Sequence, residues 1–181
     1  MYFERSTLAN TLDKRDYPID GVAAIYSPTV AIFKSFEETG FKDLNPNKEE
    51  VSIVSVISVA AQSRPKTSTP EMVDVNEKLF PGDHFTNSED AELLQEKIRL
   101  SLRIAAHYGH SNIVLGALGC GAFRNPPYRV AELFYHTLME EEFAGGWWQN
   151  VVFAVKCPKE VDGWGEDLYS IFWRTLQGVV V

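Results

Sequence analysis

The apolar positions of this chain fall into short blocks that follow two different periods. Val51-Ser-Ile-Val-Ser-Val-Ile-Ser-Val59 is an almost continuous β-branched run, the composition of a strand buried on both faces. Ala91, Leu94, Ile98, Leu102 and Ala105 then recur at helical spacing up to Gly109. Thr86 and Glu89 fit a capping box opening that helix, with Ser88 as a competing cap. Residues 112–118 read as the next strand. A glycine-rich loop follows, then a helix from Pro127 to Glu142 with Val130, Leu133, Phe134 and Leu138 on its apolar face. Val151 to Val155 is a further strand, and residues 165–176 form a last helix rich in aromatics.

The first third is less regular. Residues 1–17 mix polar and apolar positions, as a helix or an irregular lead-in would. Asp16-Tyr-Pro-Ile-Asp-Gly21 is turn chemistry. Val22 to Tyr26 and Val30 to Phe33 read as two short strands on either side of Ser27-Pro28. Residues 35–50 are charged and turn-rich, with Asn45-Pro46 as a breaker. The connection from Gln62 to Thr86 is too long for a tight loop, so a short helix or a functional loop is expected there. Over the last two-thirds, strands and helices alternate. That order predicts an α/β fold with right-handed crossovers and helices on both sheet faces. Ligands of such sheets bind beyond the carboxyl ends of the strands. Both the glycine-rich loop and the residue-62 connection leave from those ends.

The loop carries the chemistry. In Asn112-Ile-Val-Leu-Gly-Ala-Leu-Gly-Cys-Gly-Ala-Phe-Arg-Asn-Pro-Pro127, glycines 116, 119 and 121 let the backbone approach a ligand closely. Pro126 and Pro127 preset a helix start. Free backbone N–H groups and a helix dipole at one spot favour an anion, above all a phosphate or diphosphate. The glycine spacing is neither the dinucleotide fingerprint nor a Walker A loop. By glycine count alone, a bland loop is as good a reading as a phosphate site. Phe123 packs on a ligand or in the core. Arg124 pairs with a phosphate or faces solvent. Asn125 fits a helix cap better than a ligand contact. Cys120 lies in G-C-G rather than a nucleophile elbow, so small-residue packing is expected of it.

The full string is more specific. Gly119-Cys-Gly-Ala-Phe-Arg-Asn-Pro-Pro127, with Val130, Ala131 and Phe134 after it, resembles the second ligand loop of the microbial-type poly(ADP-ribose) glycohydrolases, a branch of the macrodomain fold. Ile25-Tyr-Ser-Pro-Thr-Val-Ala-Ile-Phe33 is similar to the family's tyrosine-serine-proline segment. Arg5-Ser-Thr-Leu8 looks like the stretch just after its catalytic motif. The three segments keep the family's order, and the resemblance runs over nearly the whole chain.

This resemblance implies one macrodomain-like domain over residues 1–181. It implies a three-layer α/β/α sandwich with a mixed, largely parallel sheet, truncated at its N-terminal edge. It implies recognition of ADP-ribose or poly(ADP-ribose), free or on an ADP-ribosylated protein. The ligand-binding set it implies is Gly119, Cys120, Gly121, Ala122, Phe123, Arg124 and Asn125. In the family the loop's N–H groups hold the diphosphate and an aromatic ring lies against a ribose, roles that fall here on Gly121, Ala122 and Phe123. No cofactor and no metal is implied. The family's catalytic signature, a triple glycine followed by Gln-Glu-Glu, occurs nowhere in these 181 residues. Its second glutamate protonates the leaving oxygen. No catalytic residue is therefore assigned, and whether the chain is an enzyme stays open. Binding without hydrolysis is the first expectation. A fragment of an active glycohydrolase, or an interaction protein that has lost the ligand, are the alternatives. Thr29 and Leu118 also depart from the family, which favours an acidic residue and an aromatic there.

Composition changes the picture only by exclusion. The hydrophobic fraction of 45% and charged fraction of 23% are globular values. A net charge of −8 without a Lys/Arg cluster argues against direct nucleic-acid binding. No apolar run reaches the length of a membrane span, and no signal peptide is expected. Two cysteines, Cys120 and Cys157, suggest no structural disulfide and a cytoplasmic or nuclear setting. His107 and His110 suit a helix end better than a metal. Glu140, Glu141 and Glu142 read as a solvated surface, and Trp147-Trp148 as a buried anchor. Nothing in the sequence fixes the oligomeric state.

Overall fold

The computed structural model describes residues 6–10, 12–35, 40, 42–44, 51–68, 84–155 and 167–180. They divide into two compact units, residues 1–59 and residues 60–181.

In the first unit, two single-turn 3-10 helices, Thr7–Asn10 and Lys14–Asp16, precede a long strand β1, Ala24–Ile32. It pairs antiparallel with β2, Ser52–Val59. The two short strands expected around Ser27-Pro28 are thus one strand. Its register shifts between Ser27 and Val30, a bulge that accommodates Pro28, which has no N–H to give to a ladder. Tyr26 Oη donates to Ser55 Oγ at 3.2 Å, and Ser55 Oγ donates to the Pro28 carbonyl at 2.9 Å, which ties the bulge to β2. The expectation of a strand buried on both faces fails for β2: Ser52, Ile53 and Val54 are exposed and the rest is half-buried. β-branched residues favour extended backbone whether or not they are covered. Ser6 bridges Ile32, and Thr7 Oγ1 accepts from Ala31 N–H at 2.9 Å. The Ser6–Leu8 and Ile25–Phe33 segments, distant in sequence, therefore pack together, with Leu8, Ser27 and Val30 buried.

The second unit begins with a small antiparallel pair, β3 (Thr67–Ser68) and β4 (His84–Phe85). Helix α1 runs over Ser88–His107 and buries Leu94, Lys97, Ile98, Leu102 and Ala105. Its cap is Asn87, not Thr86 or Ser88: extended at φ −107°, Asn87 accepts from Glu89 N–H at 3.1 Å. β5 (Asn112–Leu115) pairs parallel and in register with β6 (Asn150–Phe153). Both strands are shorter than expected. The last rung is Ala154 N–H to the Leu115 carbonyl at 2.8 Å, after which the glycine-rich loop takes over.

Helix α2, Pro127–Leu138, stops a turn earlier than expected. Two tight turns after it turn Phe143 inward until it is 1% exposed. Helix α3, Leu168–Leu176, is capped by Asp167, which accepts from Ser170 N–H at 2.9 Å. Phe134 of α2, Phe153 of β6 and Phe172 of α3 meet with ring centroids 5.1–6.5 Å apart. That cluster joins α2 and α3 to β6, and Leu133, Leu138 and Ile171 of the same two helices are buried as well. On the other face of the pair, Val114 and Val152 lie side by side at 72% and 51% exposure. Helices on both faces were expected; among the described residues this face is bare.

In the acidic run Glu141 and Glu142 are exposed, as a solvated surface would be, but Glu140 and Glu142 are also paired. Arg99 Nε donates to Glu140 at 2.7 Å, and Arg103 clasps Glu142 through two bonds of 2.6 and 2.7 Å. These pairs fasten α1 to the turn after α2. Arg99 holds the Glu140 carboxyl below the usual glutamate range, and Arg103 does the same to Glu142. Of the tryptophan pair, Trp148 is buried and Trp147 is exposed. Cys157 lies outside the described residues. No described helix is long and apolar enough to cross a membrane.

Candidate functional site

The strand–loop–helix unit expected over residues 112–134 is present, with β5 leading through residues 116–126 into α2. Gly119 sits at φ +75°, where a side chain is strained. A Cβ there would meet Asn125 Nδ2 at 2.5 Å and Ala61 Cβ at 2.6 Å, so the position has no room for one. At Gly121 a Cβ would meet nothing within 4 Å. The first glycine closes the loop against its own base, and the second faces open space.

Within the loop, Cys120 N–H is spent on the Ala117 carbonyl at 3.1 Å, Arg124 N–H on Gly121 at 3.0 Å, and Asn125 N–H on Gly119 at 3.0 Å. The N–H groups of Gly121, Ala122 and Phe123 have no protein acceptor among the described residues. Three successive donors are therefore open at the tip, while Cys120 has none to give. Phe123 is 41% exposed, so the core-aromatic alternative does not hold. Arg124 is exposed at φ +57° and sits at the turn that closes the tip.

Cys120 is buried, and desolvation pushes its thiol up to about 12. A thiol held neutral there is packing, not a nucleophile. Asn125 is fully buried and does not cap α2, whose N-cap is Pro126 with no side-chain bond. The helix starts on proline geometry instead. The Asn125 Nδ2 group turns inward. It donates to the carbonyls of Gln62 at 2.8 Å, Gly119 at 3.2 Å and Phe123 at 3.4 Å.

The chain just after β2 completes the base of the loop, which the sequence reading did not assign. Arg64 N–H donates to the Phe123 carbonyl at 2.7 Å. Gln62 Nε2 bonds Asp90 Oδ1 of α1 at 2.6 Å, and the buried Lys97 Nζ bonds the Ala60 carbonyl at 2.8 Å. The first half of α1 thus holds Ala60 and Gln62, and residues 62–64 hold the loop. The only sequence signal was the length of the Gln62–Thr86 connection, of which residues 69–83 lie outside the described set.

A separate groove of about 300 Å³ lies along α2 and α3, lined among others by Tyr128, Glu132, His136 and Arg174. None of residues 119–125 lines it. Among the described residues no cluster of histidine, cysteine or carboxylate side chains is arranged to hold a metal ion.

No protein-family profile matches this chain, and no curated protein matches it. Solved structures do. A variant of poly(ADP-ribose) glycohydrolase from Thermomonospora curvata matches at 30% identity and a TM-score of 0.62, over 84% of this chain and 48% of that one. The Deinococcus radiodurans enzyme in complex with ADP-ribose matches at 30% identity and 0.59, over 85% of this chain and 52% of that one. A single-residue variant of the Deinococcus enzyme, also with ADP-ribose, matches at 27% identity and 0.68, over 97% and 66%. The chain spans about half the length of the first two. By fold, then, this α/β chain is similar to the microbial poly(ADP-ribose) glycohydrolases and shares their macrodomain-like architecture.

Proposed function

We propose that this chain recognises ADP-ribose, free or as the terminal unit of a polymer or modified protein, and that these 181 residues do not hydrolyse it. The observation that carries the reading is the fold similarity to glycohydrolases whose structures hold ADP-ribose. The loop geometry supports it. Gly121, Ala122 and Phe123 offer three unspent N–H groups to a diphosphate. The half-exposed Phe123 ring supplies a surface for a ribose. Arg124 adds positive charge beside the phosphates. Gly119, Cys120 and Asn125 complete the set by shaping the loop. We assign residues 1–181 to one macrodomain-like domain. A cytoplasmic or nuclear setting fits the buried, unpaired Cys120.

Hydrolysis is left out because no Gln-Glu-Glu motif is present to supply the acid. Titration calorimetry with ADP-ribose on the folded chain tests the reading. Binding that weakens in Gly121→Val and Phe123→Ala supports it. No heat of binding on folded protein returns the chain to the class of interaction proteins.

A further inference from the structure

We infer that Asn125 is the positioning residue of this site: it sets the shape of the ligand loop from beneath and touches no ligand. The inference rests on the proposed ADP-ribose reading for its functional meaning, but its structural core stands on the bonds alone. Asn125 is fully buried. Its amide nitrogen has two hydrogens and three carbonyls in reach, so the bonds are shared among Gln62, Gly119 and Phe123. Flipping the amide would set Oδ1 against those three oxygens, so lone-pair repulsion fixes its orientation. Oδ1 is itself buried without a partner among the described residues. Burying an idle acceptor is unfavourable. The residue is used for its donor side.

The three carbonyls are not arbitrary. Gly119 enters the tip, Phe123 leaves it, and Gln62 belongs to the segment that α1 holds through Asp90. One side chain therefore fixes the distance across the mouth of the tip and ties it to the neighbouring segment. The backbone N–H of the same residue also bonds the Gly119 carbonyl. Pulling the Gly119 and Phe123 carbonyls inward keeps acceptors away from the place where the Gly121–Phe123 donors must meet an anion. Gly119 fits the same logic, since any Cβ there would strike Asn125.

The experiment uses the full chain with Asn125→Asp, which keeps the shape and removes the donors, and Asn125→Ala. Amide hydrogen exchange by NMR and ADP-ribose affinity are read together. Exchange at Arg64, Arg124 and Asn125 should quicken by on the order of tenfold while amides of α2 keep their protection, and ADP-ribose should bind on the order of tenfold more weakly. Unchanged exchange at those three amides overturns the inference, whatever the ligand does. Loss of protection throughout both variants makes Asn125 an ordinary fold residue and also overturns it. If the wild-type chain binds no ADP-ribose yet the three amides respond selectively, the ligand reading falls and the positioning role stands. If ADP-ribose binds the wild type and both folded variants equally, the ligand reading stands and the positioning role falls.

Discussion

Two glycines two residues apart divide the work of the loop, and substitution separates them. Gly119→Ala sets a methyl against Ala61 and Asn125 at a positive φ, and should cost about 1–3 kcal/mol of stability in a denaturant titration. Gly121→Val places its Cβ where nothing lies within 4 Å, so the protein should melt near wild type and lose affinity instead. Phe123→Ala should weaken ADP-ribose binding by roughly 1 kcal/mol or more through lost stacking and burial. With Phe123 already 41% exposed, its effect on stability should be the smaller one. Cys120 gives a chemical readout. Its thiol, raised to about 12 by burial, should resist alkylation at mildly basic pH in the native chain and react once the chain is unfolded. Rapid native labelling at Cys120, read by peptide mass spectrometry, would show a loop more open than described.

Between elements, the Arg99–Glu140 and Arg103–Glu142 pairs fasten α1 to the turn after α2. Arg99 lowers the folded-state pKa of Glu140. A lowered acid contributes stability above its unfolded value, and loses that contribution as pH falls through the folded value. Glu140→Gln should therefore cost roughly 1 kcal/mol at neutral pH. Melting curves of variant and wild type should start to converge as pH falls through the ordinary glutamate range, about 4, and meet only below the lowered folded-state value of Glu140. A gap that persists there would mean packing rather than charge. The same run shows what one-dimensional reading misses. Three consecutive glutamates look like solvated surface, because the partners of two of them, Glu140 and Glu142, lie about forty residues upstream. Asn87 as the α1 cap was likewise hidden, since Thr86, Asn87 and Ser88 are all good caps and only the backbone angle chooses. Helices α1 and α2 were legible from their apolar spacing, and the loop from its unusual string. The base of the loop was not, because the contacts of Ala60, Gln62 and Arg64 to it and to α1 run largely through backbone carbonyls and N–H groups that any residue carries.

At the scale of the whole chain, sequence and fold resemble the same enzymes, yet their Gln-Glu-Glu string occurs nowhere in these 181 residues. A placed general acid contributes about a hundred- to ten-thousand-fold in rate. The purified chain should release no ADP-ribose from polymer above the buffer rate, even where it binds the ligand. Release well above buffer, measured by chromatography, would mean that another group protonates the leaving oxygen. The bare face of β5 and β6 has a consequence of a different kind. Two valines abreast on a two-stranded parallel pair leave apolar surface beside strand edges that no other described strand pairs, and such edges recruit strands from other molecules. Concentrated solutions should cloud on standing, faster in high salt, as the charge of −8 is screened. A single Val114→Lys, placed at the most exposed of these positions, should delay that turbidity with little change in melting temperature.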